Sequence, residues 1–188
     1  MRFLTFFSLL LALALCLPAI GLKAAYLGDI YVDPLGLVPP FDGATLGFEY
    51  AIPRNQSLKL QGRLSGRGDY PVPADDRSVA GIEAGWRLYF GDHSMRGFFL
   101  GPQIGAALQT DTYSITDSSG KHAITATGTY LKAGLEFGHQ WIFSRGFVLT
   151  PAVVGSFIPA YSVGTGRSPE TGRIYAGIEL NLGYAFER

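Results

Sequence analysis

Charge is scarce in this chain, and what there is cancels. Only 16% of its 188 residues are charged, 15 basic against 15 acidic, for a formal net charge of zero. Soluble domains average about 25% charged residues and usually keep a net charge away from zero, so an ordinary cytosolic domain is disfavoured. No excess of positive charge exists to track phosphates, which argues against a nucleic-acid partner. The single cysteine, Cys16, has no partner for an internal disulfide, and His93, His122 and His139 are scattered with no second Cys to make a zinc spacing. Neither a metal nor a cofactor is expected. Helical periodicity is missing as well: beyond Tyr26, no apolar residues recur at i, i+3, i+4 over three turns. What the chain has in quantity is glycine, 25 residues, with 13 Phe and 10 Tyr.

The one continuous apolar run lies at the start. Arg2 precedes Phe3 to Leu17, broken only by Thr5 and Ser8, and Pro18-Ala19-Ile20-Gly21 follows. This is the outline of a secretory signal, and it is shorter than the roughly 20 residues a membrane-spanning helix needs. Residues 1–21 are therefore expected to be cleaved, with a second candidate cut after Ala24 or Ala25, leaving residues 22–188 as one domain. Leu13-Ala14-Leu15-Cys16 has a lipobox outline, but Leu15 stands where a small residue is expected, so lipidation is not expected.

The remainder alternates with period two, the signature of strands with two different faces. In the last segment Ile174, Ala176, Ile178, Leu180, Leu182, Tyr184 and Phe186 take one phase, and Tyr175, Gly177, Glu179, Asn181, Gly183 and Ala185 the other. Similar splits begin at Leu46, Leu58, Ile82, Phe98 and Leu131, while segments at about Tyr26 to Val32 and Phe147 to Ala160 are less regular. Glu49, Lys59, Arg63, Glu83, Arg87, Lys132, Glu136 and Glu179 all fall on the polar phase, interleaved with glycines 47, 81, 85, 101, 105, 134, 138, 177 and 183. A soluble exterior would be rich in Lys, Glu and Thr. Small residues alternating with long charged ones suit a narrow interior, and the bulky apolar phase suits a wall facing lipid.

Connection lengths point the same way. Short links are expected at Pro53–Gln56, Gly91–Gly97 and Ser144–Gly146, and long ones at Asp33–Gly43, Ser65–Arg77, Thr110–Thr125 and Ser162–Gly172. Short turns at one rim and long loops at the other is the outer-membrane arrangement. Aromatics gather beside the short turns: Tyr50, Tyr89, Phe90, Phe98, Phe99, Trp141, Phe143, Phe147, Tyr184 and Phe186. That is where an aromatic girdle would lie. The expected fold is all-β, an eight-stranded antiparallel up-and-down transmembrane β-barrel.

Several stretches carry a family likeness: Gly43–Tyr50, Gly85–Phe90, Gly97–Gln103, Gly134–Phe143 with Gly146–Leu149, and Leu180–Phe186. In these the chain resembles a family of small bacterial outer-membrane β-barrels of unknown function, similar in shape to OmpX and OmpW. The resemblance implies a place in the outer membrane of a diderm bacterium, with outer-membrane lipid and the barrel-assembly machinery as partners. It concerns strand patterns rather than an active site. One departure is the end, where Glu187-Arg188 follows the terminal aromatic Phe186.

A lipid-modifying barrel enzyme would need His and Ser on one strand face with a carboxylate behind the His. His93 and Ser94 are adjacent, His139 has no Ser two residues away, and His122 with Ser118 and Ser119 reads as a polar loop. No catalytic residue is therefore expected. The four bases and four acids of the polar phase are expected to neutralise one another in a filled lumen. The alternative is a narrow channel or carrier for small solutes, which they would line and for which the nine glycines could leave space. Arg67-Gly68-Asp69, in a long loop, could bind a surface ligand, but so short a motif is usually accidental.

Overall fold

The computed structural model describes residues 26–37, 43–66, 76–91, 95–117, 120–163 and 170–187, with backbone alone for 115–117, 160–163, 170–171 and 187. The leader, Cys16, Arg67-Gly68-Asp69, His93-Ser94 and Ser118-Ser119 lie outside the described residues.

Eight strands follow the alternating segments: β1 (Tyr26–Asp33), β2 (Ala44–Ile52), β3 (Gln56–Ser65), β4 (Asp76–Tyr89), β5 (Gly97–Asp117), β6 (Gly120–Ile142), β7 (Phe147–Val163) and β8 (Glu170–Glu187). Each pairs antiparallel with the next, and β8 pairs with β1, closing the sheet into a barrel without edges. All three short turns use left-handed backbone, the one after β4 at Met95 (φ 65°) and Gly97 (φ 101°). Arg54 (φ 68°) and Asn55 (φ 57°) turn β2 into β3, and Arg145 (φ 73°) with Gly146 (φ 83°) turns β6 into β7. Asn55 ties neighbouring turns together: its side-chain amide donates to the Gly91 carbonyl, and its own carbonyl accepts from the Tyr89 N–H at 2.8 Å.

One expected loop is strand. Residues 110–125 were expected as a long connection, but β5 runs on to Asp117 and β6 begins at Gly120, in register from Thr110↔Thr127 to Asp117↔Gly120. His122 therefore sits in a strand opposite Ile115, not in a loop. The apolar period fades here because the outward positions become Thr110, Thr112, Thr125 and Thr127. Thr, Tyr and Ile still favour the extended backbone.

The register fixes the width of the ring. Paired residues starting from Ile30 run through Phe48, Leu60, Ala84, Ile104, Ala133 and Phe157 to Ile174, whereas Ile30 itself pairs with Tyr184, ten residues further along β8. With a rise of about 3.3 Å and a strand spacing of about 4.8 Å, that offset means a tilt of roughly 40° and a backbone radius of roughly 8 Å. An interior of this width is filled by side chains.

Polarity is inverted relative to a water-soluble barrel. Glu49, Lys59, Gln61, Glu83, Arg87, Gln103, Glu136, Gln140 and Asn181 are buried inside. Leu58, Ile82, Trp86, Leu100, Ile104, Leu131, Leu135, Phe137, Val153, Phe157 and Ile178 are exposed outside.

Candidate functional site: the interior charge network

The inward phase forms layers along the barrel axis. At the short-turn end Ala51, Tyr89, Met95, Phe99, Ile142, Val148, Ala152 and Ala185 pack into an apolar floor. Met95, carried by the turn after β4 with φ 65°, is fully buried in it. Further up, Val79, Ala107, Tyr130 and Ile158 form a second apolar cluster, with Tyr175 against it. Glu49, Lys59, Glu83, Arg87, Lys132 and Glu136 lie between the two, where water is scarce and ion pairs are strong but unpaired charges costly. Arg77 pairs with buried Asp111 at 2.6 Å beyond the upper cluster.

Arg87 is the centre. Its guanidinium reaches Glu49 on one side, and on the other grips Glu136 through Nε–Oε1 at 2.8 Å and Nη2–Oε2 at 3.2 Å. Beneath it lies the Phe99 ring, 4.3 Å from the guanidinium carbon. Lys59 crosses the lumen to Glu136 at 2.6 Å and lies 3.6 Å from Glu179. Lys132 pairs with Glu83, whose other oxygen accepts from Gln61 Nε2 at 3.3 Å, and Gln61 in turn accepts from the Tyr31 hydroxyl at 2.9 Å. Glu49 is also contacted by Ser57 and by the Tyr89 hydroxyl at 2.5 Å.

Seven of the eight polar-phase charges thus meet in pairs: Glu49, Lys59, Glu83, Arg87, Lys132, Glu136 and Glu179. Arg63, half-buried near the long-connection end of β3, makes contacts of its own.

The glycines do not leave the space that the sequence allowed for. A Cβ on Gly47 would fall within the Tyr31 ring, and one on Gly105 would lie 2.7 Å from Glu83 Cγ and 3.3 Å from Lys132 Cε. At Gly138 it would lie 2.6 Å from Phe99 Cζ, and at Gly85 3.4 Å from Lys59 Cε. Large side chains from neighbouring strands lie over these glycines. Gly177 is different, with nothing within 4 Å of the position its Cβ would take.

The aromatics beside the short turns divide by phase. Phe90, Phe98, Trp141, Phe143, Phe147, Tyr184 and Phe186 are exposed on the outer wall. Tyr50 is on the outward phase but only 7% exposed, its ring lying along the wall 6.5 Å from that of Phe48. Tyr89 and Phe99 point inward and belong to the floor, so they are not part of an outer girdle. Their inward phase was already visible in the alternation. His139 faces outward between Phe98 and Trp141, with ring centroids 4.5 Å and 4.1 Å away. Among the described residues no group of three or more His, Cys, Asp or Glu could hold a metal ion.

Sequence reasoning missed two buried acids as interior charges: Asp111, inside the expected 110–125 loop and paired with Arg77, and Asp29 on β1. Asp29 has the less usual surroundings. It is 1% exposed and paired in register directly with Glu49. Its Oδ2 accepts from Gln140 Nε2 at 2.9 Å, and its Oδ1 has no hydrogen-bond partner. The signal was the phase of β1, where Asp29, Tyr31 and Asp33 alternate with Gly28, Ile30 and Val32.

A lone buried carboxylate opposite another is costly. Asp29→Asn keeps the acceptor for Gln140 and adds a donor toward Glu49. Its urea midpoint is expected to equal or exceed the wild-type value, by up to about 1 kcal/mol of stability. A clear drop would mean that the Asp29 charge is compensated in a way its neighbours do not reveal.

No protein-family model matches this chain, and no curated protein or solved structure matches it either. The likeness to small outer-membrane barrels therefore rests on strand patterns.

Proposed function

We propose that the chain is an outer-membrane β-barrel of a diderm bacterium, exported through its leader, with a non-catalytic role in envelope structure or surface interaction. The observation that carries this reading is the inverted wall. A contiguous apolar surface surrounding a buried polar interior is foreign to soluble monomers, whose apolar patches rarely exceed a few hundred Å², and is what a hydrocarbon solvent selects. Along β6 and the residue after it, the outward apolar face runs from Leu131 to Phe143, interrupted by His139. At the tilt given above that is roughly 30 Å along the axis, enough to match a band of about 25–30 Å.

The same geometry favours a closed lumen over a conduit. Arg87 and Lys59 bridge across the middle, and the Tyr89, Met95 and Phe99 floor lies below.

Leu135, exposed midway down β6, is the position for a test. In lipid vesicles Leu135→Arg is expected to lose about 2–4 kcal/mol of stability, the cost of a cation near the bilayer midplane. An unchanged urea midpoint would remove the membrane reading. Planar-bilayer recordings of the wild type are expected to be silent, and steady conductance would install the conduit in place of the plugged barrel.

A further inference from the structure

The outer wall is not uniformly convex. Across β4, β5 and β6 the pairs Ala80↔Leu108, Ile82↔Ala106 and Ala106↔Leu131 set two small side chains among three large exposed ones. Beside them the β6–β7 ladder is interrupted. Thr129 pairs with Ser162 and Ala133 with Phe157, so three residues of β6 face four of β7, a bulge containing Pro159 with no N–H to offer. The result is an apolar groove of about 500 Å³, floored by Ala80 and Ala106 and flanked by Ile82, Leu108, Leu131 and Pro159.

Its upper end meets a row of hydroxyls. Ser78, Thr110, Thr127 and Thr129 take outward positions there, with Thr110 and Thr127 Oγ1 atoms 3.3 Å apart. No Lys or Arg takes an outward position on β4 from Asp76 to Ile82, on β5 from Ile104 to Ser114, or on β6 from Ala123 to Ala133.

We propose that this groove seats one acyl chain of a glycerophospholipid, with its ester and glycerol region against the hydroxyl row. The inference rests on the membrane-spanning reading and deepens it, since a groove continuous with a lipid-facing wall is filled by hydrocarbon. The volume suits a small-molecule site. The rim selects the lipid class: hydroxyls hydrogen-bond esters, whereas a glycolipid carrying several phosphates would call for Arg or Lys beside the row. Among the described residues the nearest outward base on these strands, Lys121, stands three outward positions above Thr127.

The test uses full-length protein in vesicles containing a phosphorylated glycolipid and a phosphatidylethanolamine with a photoreactive acyl chain, with native mass spectrometry of the detergent-extracted barrel. Cross-links are expected to concentrate on β4–β6 around Ala106, and one phospholipid is expected to remain bound. Ala106→Trp should cut retention about tenfold, the equivalent of some two displaced methylenes. Ala84→Trp, on the same wall outside the groove, should leave it unchanged. Cross-links spread evenly around the wall, equal retention in Ala106→Trp, or a retained phosphorylated glycolipid would each overturn the proposal. Wild type and Ala106→Trp entering vesicles equally keeps the membrane reading intact in those cases, and failure of both to enter overturns both readings.

Discussion

Arg87→Met is expected to cost about 3–5 kcal/mol, because it leaves Glu49 and Glu136 buried without their shared cation. With urea slopes of about 1–3 kcal/mol/M, the unfolding midpoint in vesicles should fall by one to several molar. The size of the effect comes from the bereaved carboxylates rather than from any large net worth of the ion pairs. Glu49 and Glu136 are both at most 1% exposed, and two apolar layers keep water from them. The triple variant Arg87→Met, Glu49→Gln, Glu136→Gln should therefore recover most of the loss, with Lys59 retaining Glu179 as a neighbour. If Arg87→Met unfolds at the wild-type midpoint, the lumen is wet enough to screen its charges, and the plugged reading fails with it.

Gly47→Leu should be comparably damaging for the opposite reason. Its Cβ would fall within the Tyr31 ring, and that ring has little room to retreat, since Tyr31 is 2% exposed and its hydroxyl is held by Gln61 at 2.9 Å. Overpacking of this kind costs about 1–3 kcal/mol and sometimes more. On refolding into detergent, the fraction reaching the heat-sensitive compact form on gels should fall sharply. Adding Tyr31→Ala should restore much of it by vacating the space. Gly177→Ala is the contrast: with no atom within 4 Å of its Cβ position, it should fold as the wild type does, within about 0.5 kcal/mol. Equal behaviour of the Gly47 and Gly177 variants would show that the interior is not packed as described.

Part of this architecture is legible in the sequence. The alternation in β8, from Ile174 to Phe186, and the placement of Glu83 and Arg87 among Gly81 and Gly85 state which side of each strand carries charge. The short turns at 53–55 and 144–146 were visible from composition. Between Thr110 and Thr125 the reading failed, because apolar alternation identifies a strand only while its two faces meet different surroundings. Thr110, Thr112, Thr125 and Thr127 replace the apolar outward residues without breaking the strands. Tyr89 and Phe99 were grouped with the outer aromatics by proximity to a turn, although their phase already pointed inward.

Face assignment is a local property of period two, so the sequence by itself determined the polarity of the wall and the rim that carries the short turns. Which charges meet was decided only by the tertiary structure. Arg87 reaches Glu49 and Glu136, on strands far apart in sequence, because the β2–β3–β4 and β4–β5–β6 ladders set the three near one level and the curvature of the closed sheet turns them toward one another. Ring closure set Tyr31 beside Gly183, while the β1–β2 ladder laid Tyr31 over Gly47 and Asp29 opposite Glu49. Such contacts depend on shear and radius, properties of the whole sheet that no single strand encodes.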